Sequence, residues 1–187
     1  MTYLAAPAIA SLVVMADNSM LIGESFTGDG AEAAHVNTVL GRRDGPVGVA
    51  WATALATPRP GNAAFVAVLR PGVPAKPLTL FVNKASVTGD DHAALTWGAA
   101  QAGVASGVAD AVAEGVITEA DADELLLIAA VWVNPAASDA ALVYANNRAA
   151  TAAALRAGAA GAPGLAEVLA AREHPVNPYF DPAAAGL

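Results

Sequence analysis

Proton transfer near neutral pH most often falls to histidine. The chain has three, His35, His92 and His174, far apart in sequence. No two stand at the spacing that puts two imidazoles on one helix face for a metal. There is no cysteine, which removes disulfides, thiolate zinc sites and cysteine nucleophiles together. No G-x-S-x-G elbow or phosphate-binding G-x-x-x-x-G-K-[ST] loop occurs. Gly28-Asp29-Gly30-Ala31-Glu32-Ala33 fits a loose G-x-G-x-x-A dinucleotide fingerprint. Asp29 would face the pyrophosphate, however, and a strand rather than a helix is expected next. His35, Asn37 and Val39 alternate along an extended run and so share one face. Lys84 and Ser86 do the same on a later run. His92 and His174 read as surface residues.

These side chains need elements to hold them. Met20–Thr27 and Ala34–Leu40 read as strands around a turn at Gly28-Asp29-Gly30. Pro46 suits the first turn of a helix, and Val47 to Ala56 continues it. Ala64–Leu69 and Leu78–Val87 read as strands, separated by Pro71, Pro74 and Pro77. Asp90 and Asp91 are candidate N-caps for a long helix to about Glu114, stopped by Gly115. On it Trp97, Gln101, Val104, Val108 and Val112 form one stripe. Glu124–Val133 is an apolar strand. Ser138 is expected to cap a helix that runs to about Arg156 and closes at Gly158, with a short helix near Leu165–Arg172 beyond. The mixture lacks a strict βαβ repeat, which predicts an α+β fold with helices on one face of a sheet.

The 187 residues suffice for one domain with a sizeable core, and no linker divides them. Hydrophobic residues make up 56%, which excludes general disorder. Much of that is alanine, so stability is expected to lean on an oligomeric interface. The net charge of −8, with Lys76 and Lys84 the only lysines, argues against nucleic acid. Ala5 to Ala16 is apolar but broken by Pro7 and Ser11, and far short of the roughly 20 residues that span a bilayer. No Lys or Arg precedes Arg42, so the basic start of a signal peptide is missing. The expectation is a cytoplasmic protein. Its parts would be an N-terminal extension over residues 1–20, a domain over 21–158 and an Ala/Gly/Pro-rich tail over 159–187, with Met15 near an alternative start.

Several blocks in order resemble one family. Gly23-Glu24-Ser25-Phe26-Thr27-Gly28-Asp29-Gly30-Ala31-Glu32-Ala33-Ala34-His35 is the first. Gly45-Pro46-Val47-Gly48, Val66-Ala67-Val68-Leu69-Arg70-Pro71 and Pro74-Ala75-Lys76-Pro77 follow. Then come Asn83-Lys84-Ala85-Ser86, Gly98-Ala99-Ala100-Gln101 and Ala109-Asp110-Ala111-Val112-Ala113-Glu114-Gly115. Over about residues 21–157 the chain resembles the formaldehyde-activating enzymes.

That resemblance implies a fold like the ribosomal protein S5 domain 2-like group and a homopentamer with its site between subunits. It implies a lyase-type condensation of formaldehyde with tetrahydromethanopterin, without a metal. An amine of the pterin adds to formaldehyde, an acid protonates the departing hydroxyl, and the second nitrogen captures the iminium. By resemblance His35 is that acid, and Asn37, Val66, Lys84, Ser86 and Gln101 bind substrate. The family has aspartate where this chain has Asn37. An aspartate would put a negative charge beside the imidazole and could bond a cationic pterin, and asparagine does neither. The alternative is therefore a catalytically weakened homologue that binds or senses a pterin or formaldehyde. Asn37→Asp would raise turnover in a weakened enzyme.

Overall fold

A computed structural model describes residues 19–177, 180–184 and 186. The expected N-terminal extension lies outside the described residues except for Ser19 and Met20. Strands β1 (Met20–Thr27) and β2 (Ala34–Arg42) form an antiparallel hairpin. Gly28 and Gly30, with φ of 84° and 66°, make the turn between them, a backbone that glycine adopts without strain. Helix α1 spans Pro46–Ala56, with Pro46 in its first turn as expected. Short strands β3 (Phe65–Val66), β4 (Val68–Arg70) and β5 (Val73–Pro74) lead to β6 (Leu78–Asn83). Helices α2 (Gly89–Ala94) and α3 (Gln101–Ala113) are joined by a π-helical segment, Leu95–Ala100. Strand β7 (Leu125–Trp132), helix α4 (Ala140–Ala160) and helix α5 (Leu165–Ala171) complete the order.

Five strands make a mixed sheet in the order β1-β2-β7-β6-β3, with only β6 and β7 parallel. The α+β class expected from the sequence holds. Alternation gives the sheet two faces. Ala34, Val36, Leu40, Phe81, Leu127, Ala129 and Val131 point into the core with Val104, Val108, Val143 and Leu155 of α3 and α4. Full burial of a side chain such as Phe81 or Leu127 contributes about 1.5–3 kcal/mol. Small residues set how closely this layer packs. A Cβ on Gly103 would stand 2.5 Å from the Tyr144 carbonyl oxygen, and one on Gly107 2.5 Å from that of Arg148. One on Gly23 would stand 1.8 Å from the Ala154 carbonyl oxygen. Backbone therefore meets backbone between α3, α4 and β1. Two ion pairs, Arg148–Asp110 and Arg156–Glu114, tie α3 and its C-cap to α4. Helix α1 departs from the expected one-face arrangement and lies against the other face, where buried Val47 packs on Gly41.

Several boundaries differ from the sequence expectation, each for a local reason. The strand expected to reach Val87 stops at Asn83, whose Nδ2 donates to the carbonyls of Ala85 and Gly61 and turns the chain. The run Ala64–Leu69 divides at Ala67. The Ala67 N–H bonds Thr79 on the main sheet, while its carbonyl accepts from Ala75. The long helix starts one residue before Asp90, after Thr88, so Asp90 and Asp91 occupy its first turn, where the helix dipole favours carboxylates. The π segment breaks the expected stripe. Gln101, Val104 and Val108 are buried but Trp97 is 41% exposed, because a wider turn rotates it off the face. Asp139, rather than Ser138, caps α4, accepting from the Ala141 and Leu142 N–H groups. Gly161, with φ of 61°, closes that helix, while Gly158 packs on Ile22 and Gly23 of β1.

Candidate active site

The face away from α3 and α4 carries the chemistry. Hairpin register places Phe26 opposite His35 and Glu24 opposite Asn37. On the other side of β2, His35 faces Trp132 and Asn37 faces Ala130. Lys84 follows β6 directly, anchored by its N–H to the Val131 carbonyl. Ala130 on the intervening strand has no side chain beyond Cβ, so the lysine can reach over β7 to β2. Its Nζ donates to Asn37 Oδ1 at 2.6 Å and lies 3.4 Å from His35 Nδ1. His35 Nε2 meets Glu24 Oε1 at 3.0 Å. Glu24 thus holds the proton on Nε2 and leaves the Nδ1 lone pair turned toward the lysine.

Burial of the lysine head lowers the Lys84 ammonium from its usual range, with the Glu24 charge pulling the other way. The Phe26 ring sits 6.0 Å from that of His35. Phe26 and Trp132 also border a cleft of about 580 Å³ with Asp29, Gly30, Asn134 and Val176. A small electrophile could therefore approach an imidazole and an amine together, beside a concave surface with two aromatic walls.

The other expected site residues are placed differently. Val66 shares this face but stands on the edge strand β3, three strands from β2. Ser86 Oγ accepts from Asn62 Nδ2 at 3.3 Å, against the loop at Gly61. Gln101 lies on α3, over the opposite face, 7% exposed, and its Nε2 donates to the Val68 carbonyl at 2.8 Å. One chain therefore brings together His35, Asn37 and Lys84 but not Gln101. His92 is not a surface residue. It is 3% exposed, its Nδ1 accepts from the Thr88 N–H and its Nε2 reaches the Val133 carbonyl at 3.1 Å. Glu24 is a partner of His35 that spacing along a single strand does not reveal, whereas the two-strand register about the Gly28–Gly30 turn pairs it with Asn37. Among the described residues, no group of three His, Asp or Glu side chains could hold a metal.

Comparison with known proteins decides the family. The formaldehyde-activating enzyme model matches residues 22–180. The chain belongs to the formaldehyde-activating enzyme family. It is 40% identical to the 5,6,7,8-tetrahydromethanopterin hydro-lyase of Methanosarcina barkeri, over 85% of this chain and 89% of that one. It is 43% identical to the bifunctional enzyme Fae/Hps of Methanococcoides burtonii over 80% of this chain. The bifunctional enzyme of Archaeoglobus fulgidus is 39% identical over 84%. The matched part spans only 38% and 40% of those two bifunctional proteins. Within this family of formaldehyde-activating enzymes, Glu24, His35 and Lys84 form the contact chain of this member's open face.

Proposed function

We propose that the chain condenses formaldehyde with tetrahydromethanopterin, giving methylene-tetrahydromethanopterin and water, with His35 as general acid. The observation that carries this proposal is the contact chain Glu24–His35–Lys84–Asn37 on the open sheet face of a formaldehyde-activating enzyme family member. The relative from Methanosarcina barkeri is named for the same pterin. Departure of hydroxide from a carbinolamine needs a proton, and an imidazole held between a carboxylate and an amine can deliver one. Asn37, Lys84 and Ser86 offer polar contacts to a pterin and Val66 an apolar wall. Gln101 would have to come from a second copy to reach the same ligand.

An open face bearing Ile22, 62% exposed, and Phe26, 39% exposed, fits burial between subunits. That burial would suit a homopentamer with sites at its interfaces. No described helix is long and apolar enough to cross a membrane. The proposed location is the cytoplasm. The chemistry assigned here uses no metal.

Asn37 favours the second possibility, a weakened homologue that binds the pterin or formaldehyde. The test mixes protein, formaldehyde and tetrahydromethanopterin and follows methylene-pterin above the spontaneous rate. Acceleration that disappears in His35→Ala supports the enzyme and its acid. Saturable pterin binding without acceleration leaves a binding protein.

A further inference from the structure

Each ring nitrogen of His35 has its own neighbour, Glu24 Oε1 at 3.0 Å from Nε2 and Lys84 Nζ at 3.4 Å from Nδ1. An orienting carboxylate, a base and a nucleophile stand in this order in covalent catalysis, and here an amine takes the nucleophile's place. We propose that Lys84 captures formaldehyde covalently as a protonated imine, with His35 as its proton-transfer partner. The inference rests on formaldehyde being a substrate of this site.

Three features single out Lys84. Neither of its hydrogen-bond partners, Asn37 Oδ1 and His35 Nδ1, is a carboxylate, so among the described residues no ion pair at hydrogen-bond distance locks the ammonium. Burial works against the charged form, while Glu24 opposes this from the far side of His35. That burial is partial, and enough of the Lys84 side chain stays exposed for a molecule as small as formaldehyde to reach it. Among the described residues, the charged or titratable groups around it are Glu24 on β1 and His35 on β2. Helix α1, which covers the other end of this face, carries no charged residue, and Asp29 lies in the neighbouring cleft. Lys76 supplies the contrast, because Asp123 holds its ammonium in a direct ion pair.

The step balances without a further reagent. Lys84 gives a proton to His35 Nδ1, and the free amine attacks the formaldehyde carbon. The C–N bond forms as the carbonyl π pair moves to oxygen, and proton shift from nitrogen to oxygen yields the carbinolamine. His35 returns its proton to the hydroxyl, water leaves, and the nitrogen lone pair closes the C=N bond. The sum is ammonium plus formaldehyde giving protonated imine plus water. A pterin amine that attacks this carbon and expels Lys84 would take the one-carbon unit onward.

The test treats the protein with formaldehyde and cyanoborohydride, without pterin. Reduction of the imine leaves a methyl group on the lysine, read by peptide mass. Lys84 is expected to be methylated at least about tenfold faster than Lys76, a small part of what a positioned proton-transfer partner contributes. His35→Ala and His35→Asn should both slow Lys84 and leave Lys76 unchanged, with circular dichroism reporting that each variant is folded. Equal rates for the two lysines would overturn the proposal, as would a Lys84 rate indifferent to folded His35 variants. The pterin assay on the same preparation separates the two ideas. Condensation with Lys84 methylated no faster than Lys76 sinks this inference alone. A preferentially methylated Lys84 without condensation sustains it and removes the pterin activity instead.

Discussion

The two faces of one strand do different work. Along β2, Ala34, Val36 and Leu40 are buried against α3 and α4, while His35, Asn37 and Val39 are half-buried on the open side. The covered face is packed so closely that glycines on β1 and α3 sit against helix backbone, and an added atom there has nowhere to go. The open face carries α1 at one end and, at the other, a long lysine that crosses a neighbouring strand over an alanine. The closest backbone packing therefore lies on one face and the reactive groups on the other. Substitutions should separate the two.

The sharpest separation is expected at His35. His35→Ala should lower the condensation rate by about 10²–10⁴-fold, the usual worth of a positioned acid. Its melting temperature should stay close to that of the parent. A fall in both would contradict the division of labour. Gly107→Val tests the other face. Its Cβ would meet the Arg148 carbonyl oxygen at 2.5 Å, so urea unfolding should show a loss of about 1–3 kcal/mol. Condensation per folded molecule should be unaffected.

Asn37→Asp sharpens the comparison within the open face. A carboxylate 2.6 Å from Lys84 Nζ would hold the ammonium, so reductive methylation of Lys84 should slow by about tenfold for each pKa unit gained. An unchanged rate would mean that Asn37 does not govern the lysine. Turnover in the same variant tests whether the missing charge had weakened the enzyme. Glu24 already places a carboxylate on His35, so a large rise would show that position 37 matters in its own right.

The smallest effect belongs to the ion pairs that join α3 and α4. The guanidinium of Arg148 holds the Asp110 carboxyl below its usual range, chiefly through their hydrogen bonds. The folded state then binds fewer protons than the unfolded chain near pH 3.8. This contribution is present above that pH and is lost as pH falls through the depressed value. Asp110→Asn should cost at most about 1 kcal/mol at neutral pH. The stabilities of the two proteins should converge in acid, and a constant difference down to low pH would point to packing instead.

Much of the frame was legible beforehand. The Gly28–Gly30 turn, the alternation around His35 and the apolar run of β7 are short-range patterns, and the structure keeps them. The misplaced boundaries arose where long-range contacts overrode local signals. Asn83 ends its strand by bonding the distant Gly61, and Ala67 is shared between the main sheet and a side ribbon. The π segment that turns Trp97 outward leaves no mark in a helical periodicity count. In the site, His35 and Asn37 could be placed on one face from spacing alone. Nothing local announced that Lys84 would reach them, since that contact depends on β7 lying between β2 and β6.

By itself the sequence determined the hairpin, the composition of a tightly packed small-residue core and the pairing of a histidine with an asparagine on one strand face. These follow from alternation, turn chemistry and residue size, which act over a few positions. Only the tertiary structure decided that Glu24 and Lys84 stand on opposite nitrogens of His35 and that Gln101 lies on the far side of the sheet. It also showed that His92 is buried. Those outcomes depend on strand order and register, which are set by how distant segments pack and not by the residues beside them in the chain.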